Sequence, residues 1–226
     1  MWNWIIGILA LGLVLYWLDR EIYFYEGARL GPHVQGWLYD RWAAKYDKGK
    51  QESQEHDSER LARPIIEAVA DIPEPSVLDY ATGTGRMPLA LLREPEFNGH
   101  IIAMDVSKGM LVQADAKLAD YNGRYELVHL IHLPLPYPDN SFDVVSCMEA
   151  LELMPNMEEP LAELFRVLKP GGLFMSSRGT EASGRKSKVR SAEEFAQLLN
   201  ETGFEQVQVK PWWKWFDHVL ARKPVA

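Results

Sequence analysis

The sequence is poor in cysteine and has no excess of basic residues. Cys147 is the only cysteine among the 226 residues, so one chain can form neither a disulfide framework nor a cysteine-ligated zinc site. The 24 Lys and Arg residues are outnumbered by 32 Asp and Glu residues, which gives a formal net charge of −8. Because strong nucleic-acid binders usually carry a basic surface, we expect no nucleic-acid partner.

One long hydrophobic run does occur, at residues 2–18, where Asn3 is the only clearly polar residue. As a helix, the run would be about 26 Å long, against roughly 30 Å for the hydrocarbon core of a bilayer. A signal peptide is disfavoured because no Lys or Arg precedes the run. A half-exposed helix is disfavoured because the run is apolar on all faces. The run therefore predicts a transmembrane anchor, with a helix buried in the body of the protein as the alternative.

The charges that flank this run predict its orientation. The nearest basic residues, Arg20 and Arg29, follow the run, and none precedes it. The positive-inside rule then places the C-terminal body in the cytoplasm, behind a single-pass membrane anchor at residues 2–18. A basic loop at 178–190 could contact anionic lipid headgroups, although a solvated surface loop explains it equally well.

Beyond residue 57, strand patterns alternate with helix patterns of about ten residues. The predicted strands are 76–80, 100–105, 124–130, 141–148 and 173–177, followed by a terminal strand pair at 204–210 and 213–223. The predicted helices are 58–70, 85–92, 107–119, 157–168 and 191–202. This alternation predicts a parallel sheet with helices on both faces, and a ligand crevice beyond the carboxyl ends of the strands.

A glycine-containing loop follows the first predicted strand. Gly83 and Gly85 lie between that strand and a helix, and Asp105 ends the next strand about 20 residues further on. Glycines allow the backbone to turn sharply and to approach a ligand closely. A dinucleotide-binding fold has a similar loop, but its third glycine is replaced here by Pro88. A dinucleotide oxidoreductase is therefore disfavoured.

The stretch VLDYATGTGRMPLAL (77–91) resembles the first motif of class I S-adenosylmethionine-dependent methyltransferases of the type 11 kind, with Ala81 in the place of the first glycine. Residues 39–47 resemble the entry helix of that family, 135–147 and 165–177 resemble its later motifs, and 191–209 resemble its terminal helix and strand. The resemblance implies S-adenosylmethionine as the cofactor. It also implies a Rossmann-like, doubly wound α/β fold with a seven-stranded sheet, mostly parallel with the last strand antiparallel, here joined to the N-terminal transmembrane helix.

The resemblance also implies roles for individual residues. Asp79 and the following loop would hold the methionine moiety, and the Asp105 carboxylate would accept both ribose hydroxyls. Tyr46 matches a tyrosine that closes over the cofactor in the family. The full set of predicted cofactor contacts is Tyr46, Asp79, Ala81, Thr82, Gly83, Gly85, Asp105, Val106, Ile131, His132 and Cys147.

One departure from the family concerns the adenine. Many relatives carry an aspartate that binds the adenine amino group, whereas this sequence has Leu130, Ile131 and His132 at those places. Backbone groups, His132 or His129 could hold the adenine instead. Alternatively, these histidines merely lie at the end of a strand.

The segment that follows the fourth predicted strand would border the methyl acceptor. It resembles the Glu-x-x-Glu-His segment of quinone-pathway O-methyltransferases, with Leu153 in place of the histidine. Glu149 is the candidate catalytic residue. Glu149 and Glu152 could bind a hard cation, but acids at a helix start also favour the helix dipole, and we expect no metal.

These observations predict a membrane-anchored S-adenosylmethionine-dependent methyltransferase that acts on a small, lipophilic acceptor. We expect an anchor at 1–20, a connector and leading helix at 21–57, and a methyltransferase domain at 58–226. The alternative is a non-catalytic methyltransferase-fold membrane scaffold or binding module. The missing adenine aspartate favours that alternative, whereas the intact Gly83 and Asp105 argue against it.

Overall fold

The computed structural model describes residues 2–49, 54–183 and 190–225. Within these ranges seven strands form one sheet in the order β3-β2-β1-β4-β5-β7-β6. The strands are β1 Ser76–Tyr80, β2 His100–Asp105, β3 Tyr125–His129, β4 Phe142–Cys147, β5 Leu168–Gly179, β6 Glu205–Trp213 and β7 Phe216–Arg222. Strand β7 runs antiparallel to both of its neighbours, and the remaining pairs are parallel. The predicted Rossmann-like sheet is therefore present.

Seven α-helices accompany this sheet in the described ranges: α1 Trp2–Asp19, α2 Pro32–Trp42, α3 Arg63–Ala68, α4 Arg86–Leu92, α5 Lys108–Leu118, α6 Glu158–Val167 and α7 Ala192–Thr202. The predicted N-caps hold, since Ser107 accepts a hydrogen bond from the Met110 backbone and Ser191 forms a capping box with Glu194. The helix predicted at 58–70 is split into a π-helical turn, Ser58–Ala62, and α3. Pro64 explains the break, because proline has no N–H to donate to the preceding turn.

The core lies on both faces of the central strands. All six residues of β4 are buried, and so are the three inner residues of β1, as expected for parallel strands that are covered on both sides. Phe174 of β5 stacks on Phe204 at a ring-centroid distance of 4.7 Å. Because β1 pairs parallel with both β2 and β4, the carboxyl ends of these three strands lie at one edge of the sheet.

The prediction of a transmembrane anchor is wrong. Residues 2–18 do form a helix, α1, but no helix in the described part of the chain has the length and apolar character needed to cross a membrane. The 18 residues of α1 include Asn3 near one end and Asp19 at the other, so its apolar stretch is shorter than the roughly 20 apolar residues that a span typically needs. The prediction of a single-pass membrane protein with its body in the cytoplasm fails with it, and the described residues give no support to membrane contact through residues 2–18. The alternative of a buried helix also fails, because residues 4–19 are exposed.

The connector packs directly onto the sheet domain. Asp40 of α2 accepts hydrogen bonds from the Ser107 hydroxyl and the Gly109 backbone N–H, each at 2.6 Å. A Cβ atom at Gly36 would lie 2.6 Å from the Val106 carbonyl oxygen, so glycine is required for this approach. Helix α2 is thereby held beside the end of β2.

The basic loop at 178–190 is only partly described. Residues 184–189, which include Arg185, Lys186 and Lys188, lie outside the described ranges. Arg178 is buried and donates two hydrogen bonds to the Asp217 carboxylate, at 2.9 and 2.6 Å. This arginine therefore stabilises the β5–β7 pair and does not present its charge to a lipid surface.

Candidate functional site

A cleft of about 320 Å³ lies at the carboxyl edge of the sheet, where a doubly wound fold is expected to bind its ligand. Its walls come from the loop after β1, the end of β2, the segment after β3, the segment after β4, and helix α2 with the turn that follows it. Eight of the predicted site residues line it: Tyr46, Ala81, Gly83, Asp105, Val106, Ile131, His132 and Glu149. The volume is at the lower end of the range for a pocket that holds one organic ligand.

Asp105 is the best-defined polar group of the cleft. Its Oδ2 accepts a hydrogen bond from the Gly83 backbone N–H at 2.8 Å, and its Oδ1 accepts one from the Ser107 N–H at 2.8 Å. Burial raises the pKa of Asp105 to about 6, although these backbone N–H groups act in the opposite direction. A carboxylate can accept about four hydrogen bonds, so capacity remains for a donor from a ligand.

The loop between β1 and α4 has an unusual backbone. Ala81, Gly83 and Gly85 all have positive φ values, of +63°, +56° and +77°. Ala81 thus keeps the left-handed conformation although it is not glycine, which costs roughly 1–2 kcal/mol. A Cβ atom at Gly83 would enter open space, with only the Tyr46 ring near it at 4.0 Å. We call the open turn at Ala81–Gly83 the Gly83 cradle, and a ligand can approach the backbone closely there.

Gly85 has a different environment from Gly83. A Cβ atom there would lie 3.1 Å from the Ala114 side chain of α5. Glycine is therefore required at position 85 for close packing of the loop against α5, and Gly85 does not line the cleft. The structure places Gly85 beside the predicted site but not in it.

Asp79 and Thr82 line a recess of about 50 Å³ next to the cleft. Asp79 is 2% exposed and accepts a hydrogen bond from the Ser146 hydroxyl at 2.6 Å. Burial raises the pKa of Asp79 to about 6, against the opposing effects of the Ser146 and Thr82 hydroxyls. The recess shares Ala81 and Gly83 with the cleft, so the two spaces adjoin.

Glu149 occupies a strained position in the cleft wall. Its φ is +54°, and its backbone N–H donates to the Ser177 hydroxyl at 2.6 Å. Arg86 donates to its carboxylate at 3.0 Å and holds the Asp57 carboxylate with two further bonds, at 2.8 and 2.6 Å. Strained residues held by several partners are frequent at functional sites.

Sequence reasoning missed Arg86 and the contribution of α2. Arg86 follows Gly85 directly and begins the helix at the loop, which is a signal that could have identified it. Tyr39 lines the cleft from α2, donates its hydroxyl hydrogen bond to Glu26 and lies 6.2 Å from the Tyr46 ring. Burial, followed by the Glu26 charge, raises the pKa of Tyr39 well above its ordinary value.

The far end of the cleft is bordered by Ile131 and His132. The exposed His132 ring lies edge-on to the His33 ring at 6.0 Å. His129 lies 3.0 Å from the Val106 carbonyl oxygen through its Nε2 atom, so it connects two strand ends and does not line the cleft. Of the two histidines, the structure brings only His132 to the cleft.

Cys147 lies in the core and lines neither the cleft nor the recess. It is fully buried, burial raises the pKa of its thiol, and its carbonyl oxygen accepts from the Ser176 hydroxyl at 2.8 Å. As for metals, residues 2–49, 54–183 and 190–225 contain no group of three or more His, Cys, Asp and Glu side chains that could hold an ion.

Comparisons with known proteins show similarity to methyltransferases. Residues 77–172 match the family described as methyltransferase domain. A demethylmenaquinone methyltransferase of Symbiobacterium thermophilum is 31% identical over 150 residues, which cover 66% of this chain and 60% of that protein. A demethylmenaquinone methyltransferase of Clavibacter sepedonicus is 33% identical over 135 residues, which cover 60% and 54%. The chain thus spans less than two thirds of the length of these curated relatives. These matches are to methyltransferases, the class of enzyme that the motifs predict.

Solved structures show the same fold. A SAM-dependent methyltransferase from Aquifex aeolicus has a TM-score of 0.62 at 24% identity, with 79% of this chain and 97% of that chain covered. The cyclase SpnF also has a TM-score of 0.62, at 20% identity, with 73% and 80% covered. Because a cyclase shares this fold, the fold alone does not fix the reaction.

Proposed function

We propose that this chain, which is related to the class I S-adenosylmethionine-dependent methyltransferases as its motifs predict, binds S-adenosylmethionine in the cleft and methylates a small, lipophilic, quinone-like acceptor. The observation that carries the proposal is the buried Asp105 carboxylate, which is fixed at the cleft by two backbone N–H groups beside the Gly83 cradle. A fixed carboxylate opposite an open backbone turn suits a ligand that has a diol and a narrow chain.

The residues present fit this cofactor. Asp105 would accept the hydrogen bonds of the ribose hydroxyls, and Val106, Ile131 and His132 would border the adenine. Tyr46, Ala81 and Gly83 would enclose the methionine chain, whose end would extend towards Thr82 and Asp79 in the adjoining recess. When bound, S-adenosylmethionine supplies a reactive methyl group on a sulfonium.

Two predicted contacts have a supporting role in this proposal. Gly85 allows α5 to pack closely behind the loop, and Cys147 fills the core below the cleft. Both keep the loop and the end of β4 in place without touching the ligand. We also retain, as a proposal, the division into a connector with a leading helix at 21–57 and a methyltransferase domain at 58–226.

Glu149 is proposed as the group that faces the reacting atom of the acceptor. Arg86 and Ser177 hold it in a conformation that few non-glycine residues adopt. A carboxylate so fixed can accept a hydrogen bond from an acceptor hydroxyl and then its proton. The remaining work of the chain is alignment and the exclusion of water, which α2 and Tyr46 provide from above the cleft.

The acceptor class is supported by the cleft wall and by the relatives. The segment after β4 carries Met148, Leu153 and Met154, so the side of the cleft at which an acceptor would approach the methyl group is apolar, which suits an apolar molecule. Both curated relatives named above are demethylmenaquinone methyltransferases. These observations favour a quinone-like ring over a polar metabolite.

A methyl-transfer assay with methyl-labelled S-adenosylmethionine tests the proposal. The full chain is incubated with a water-soluble naphthohydroquinone, and label in the ring product is measured. The Asp105→Asn variant should lose about a hundredfold or more in activity at subsaturating cofactor, because two charge-assisted hydrogen bonds of about 1.5–3 kcal/mol each are weakened. The matched control is Asp115→Asn, at an exposed aspartate that bonds Tyr125. Absence of transfer by the folded chain to any hydroquinone would contradict the acceptor assignment.

A further inference from the structure

A second cavity of about 280 Å³ lies beside the cleft. We call it the aromatic chamber, and its walls are Glu26, Tyr39, Tyr46, Glu149, Glu152, Leu153, Gly179, Ser183, Trp215 and Phe216. Four of these residues also line the cleft: Tyr39, Tyr46, Glu149 and Leu153. They form the boundary at which a molecule in the chamber would face a molecule in the cleft.

The sheet holds the aromatic wall of the chamber in place. Trp215 lies in the turn between β6 and β7, and its carbonyl oxygen accepts a hydrogen bond from the Thr180 N–H at 2.8 Å. The Thr180 hydroxyl donates to the Lys214 carbonyl oxygen at 3.1 Å, and Phe216 pairs with Gly179 across the β5–β7 ladder. The chamber is therefore built before any acceptor arrives, although Trp215 is still 43% exposed.

The charged residues that line the chamber are all acidic within the described part of the chain. Glu26, Glu149 and Glu152 are among its walls, and no lysine or arginine lines it within the part of the chain that the structure describes. Arg86 contacts Glu149 from the side of the recess. An anion placed in the chamber would be repelled, whereas a hydroxyl group would find carboxylate and tyrosine oxygens to receive its hydrogen bond.

We propose that the aromatic chamber is the acceptor site, and that it takes a flat, uncharged ring that carries hydroxyl groups. The ring would lie against Trp215 and Phe216, with its reacting edge at the boundary formed by Tyr46 and Glu149. The cleft has room for about one ligand of ordinary size, so the cofactor fills it and the acceptor needs a space of its own. This inference rests on the proposed function and adds to it the place, the charge and the recognition surface of the acceptor.

Binding of a ring in the absence of turnover tests the chamber. The full chain, saturated with S-adenosylhomocysteine, is titrated calorimetrically with naphthohydroquinone under anaerobic conditions. Trp215→Ala should weaken binding of the ring by about tenfold, the size expected for the loss of an aromatic stack and its buried area, and should leave S-adenosylhomocysteine affinity unchanged. The control is Trp37→Ala, because Trp37 is 55% exposed on α2 and lines neither space.

A second comparison tests the charge of the chamber. A hydroxynaphthoate, which adds a carboxylate to the same ring system, should bind the wild-type chain at least about tenfold more weakly than the uncharged ring. The Glu152→Gln variant should reduce that preference, because it removes one of the repelling charges. An anionic ring that binds as well as the uncharged one would overturn the charge assignment.

The outcomes separate this inference from the proposed function. If the unmodified chain fails to bind S-adenosylhomocysteine, the cofactor proposal fails, and the ring titration is repeated on the unloaded chain. If the chain binds S-adenosylhomocysteine but the ring binds Trp215→Ala and wild type equally, the acceptor lies elsewhere and the chamber proposal fails alone. A ring that the wild-type chain does not bind in either state also overturns it.

Discussion

Replacing Gly83 by alanine should separate cofactor binding from folding, because the chain provides a matched control at Gly123. Both glycines have positive φ values, +56° for Gly83 and +86° for Gly123. A Cβ atom at Gly123 would meet nothing within 4 Å, and at Gly83 it would meet only the Tyr46 ring at 4.0 Å. Neither substitution therefore creates a clash in the unliganded protein.

The two variants should lose similar stability. An alanine in the left-handed region costs the folded state roughly 1–2 kcal/mol. Alanine also lowers the conformational entropy of the unfolded chain, which offsets this cost by about 0.4–1 kcal/mol. The net loss of about 1 kcal/mol should lower the Tm by about 2–4 °C for a chain of this size. Differential scanning calorimetry of the unliganded variants measures this loss.

Only Gly83→Ala should weaken binding of the cofactor. Its Cβ atom would occupy the cradle where the methionine chain is proposed to pass, and overpacking of that kind costs about 1–3 kcal/mol. We therefore expect affinity for S-adenosylhomocysteine to fall by about five- to 150-fold in calorimetric titration, with Gly123→Ala at the wild-type value. Equal affinity in the two variants would refute the placement of the cofactor at this loop.

Four further predictions concern other residues in or near the site. Burial raises the pKa values of Asp79 and Asp105 from 3.8 to about 6, so cofactor affinity should fall as the pH drops through about 6. A series of titrations at different pH measures this, and an affinity that stays constant down to pH 5 would contradict it. The same shifts stabilise the unliganded fold below about pH 3.8, and that contribution is lost as the pH rises through about 6, which denaturant melts across this range should detect. Ala81→Gly should change stability by less than about 1 kcal/mol, because relief of the left-handed strain offsets the entropy of glycine; a larger loss in urea melts would show that the alanine methyl group packs. Cys147→Ser should destabilise the fold by about 1–3 kcal/mol, because a buried hydroxyl lacks a ready partner. At temperatures where the variant is folded, its cofactor affinity should equal that of the wild type. A lower affinity of the folded variant would place the Cys147 side chain in the site.

Much of the fold could be predicted from local sequence. Strands β1 and β2 occur at the predicted bounds, 76–80 and 100–105, because each is a short apolar run bounded by a turn or a charged residue. The position of Asp105 at a strand end follows from that pattern. The resemblance places Cys147 among the cofactor contacts, but β4, which it ends, is covered on both faces and its side chain lies in the core.

The parts that could not be predicted depend on contacts between distant segments. The cover over the cleft requires Gly36 to approach Val106, and the aromatic chamber joins Glu26 to Trp215, which lie at opposite ends of the chain. The sequence pattern of a single segment does not predict such a contact. The N-terminal run shows the converse error, since its composition predicts a membrane span, whereas no described helix combines the length and apolar character that a span needs.

The most direct test of the account is a calorimetric titration of the full chain with S-adenosylmethionine, beside Asp105→Asn and with NAD as a control ligand. The account predicts one site per chain, an affinity reduced about a hundredfold in the variant, and no heat from NAD. Absence of binding by the folded wild-type chain would contradict it and would favour a methyltransferase fold that serves as a non-catalytic binding module.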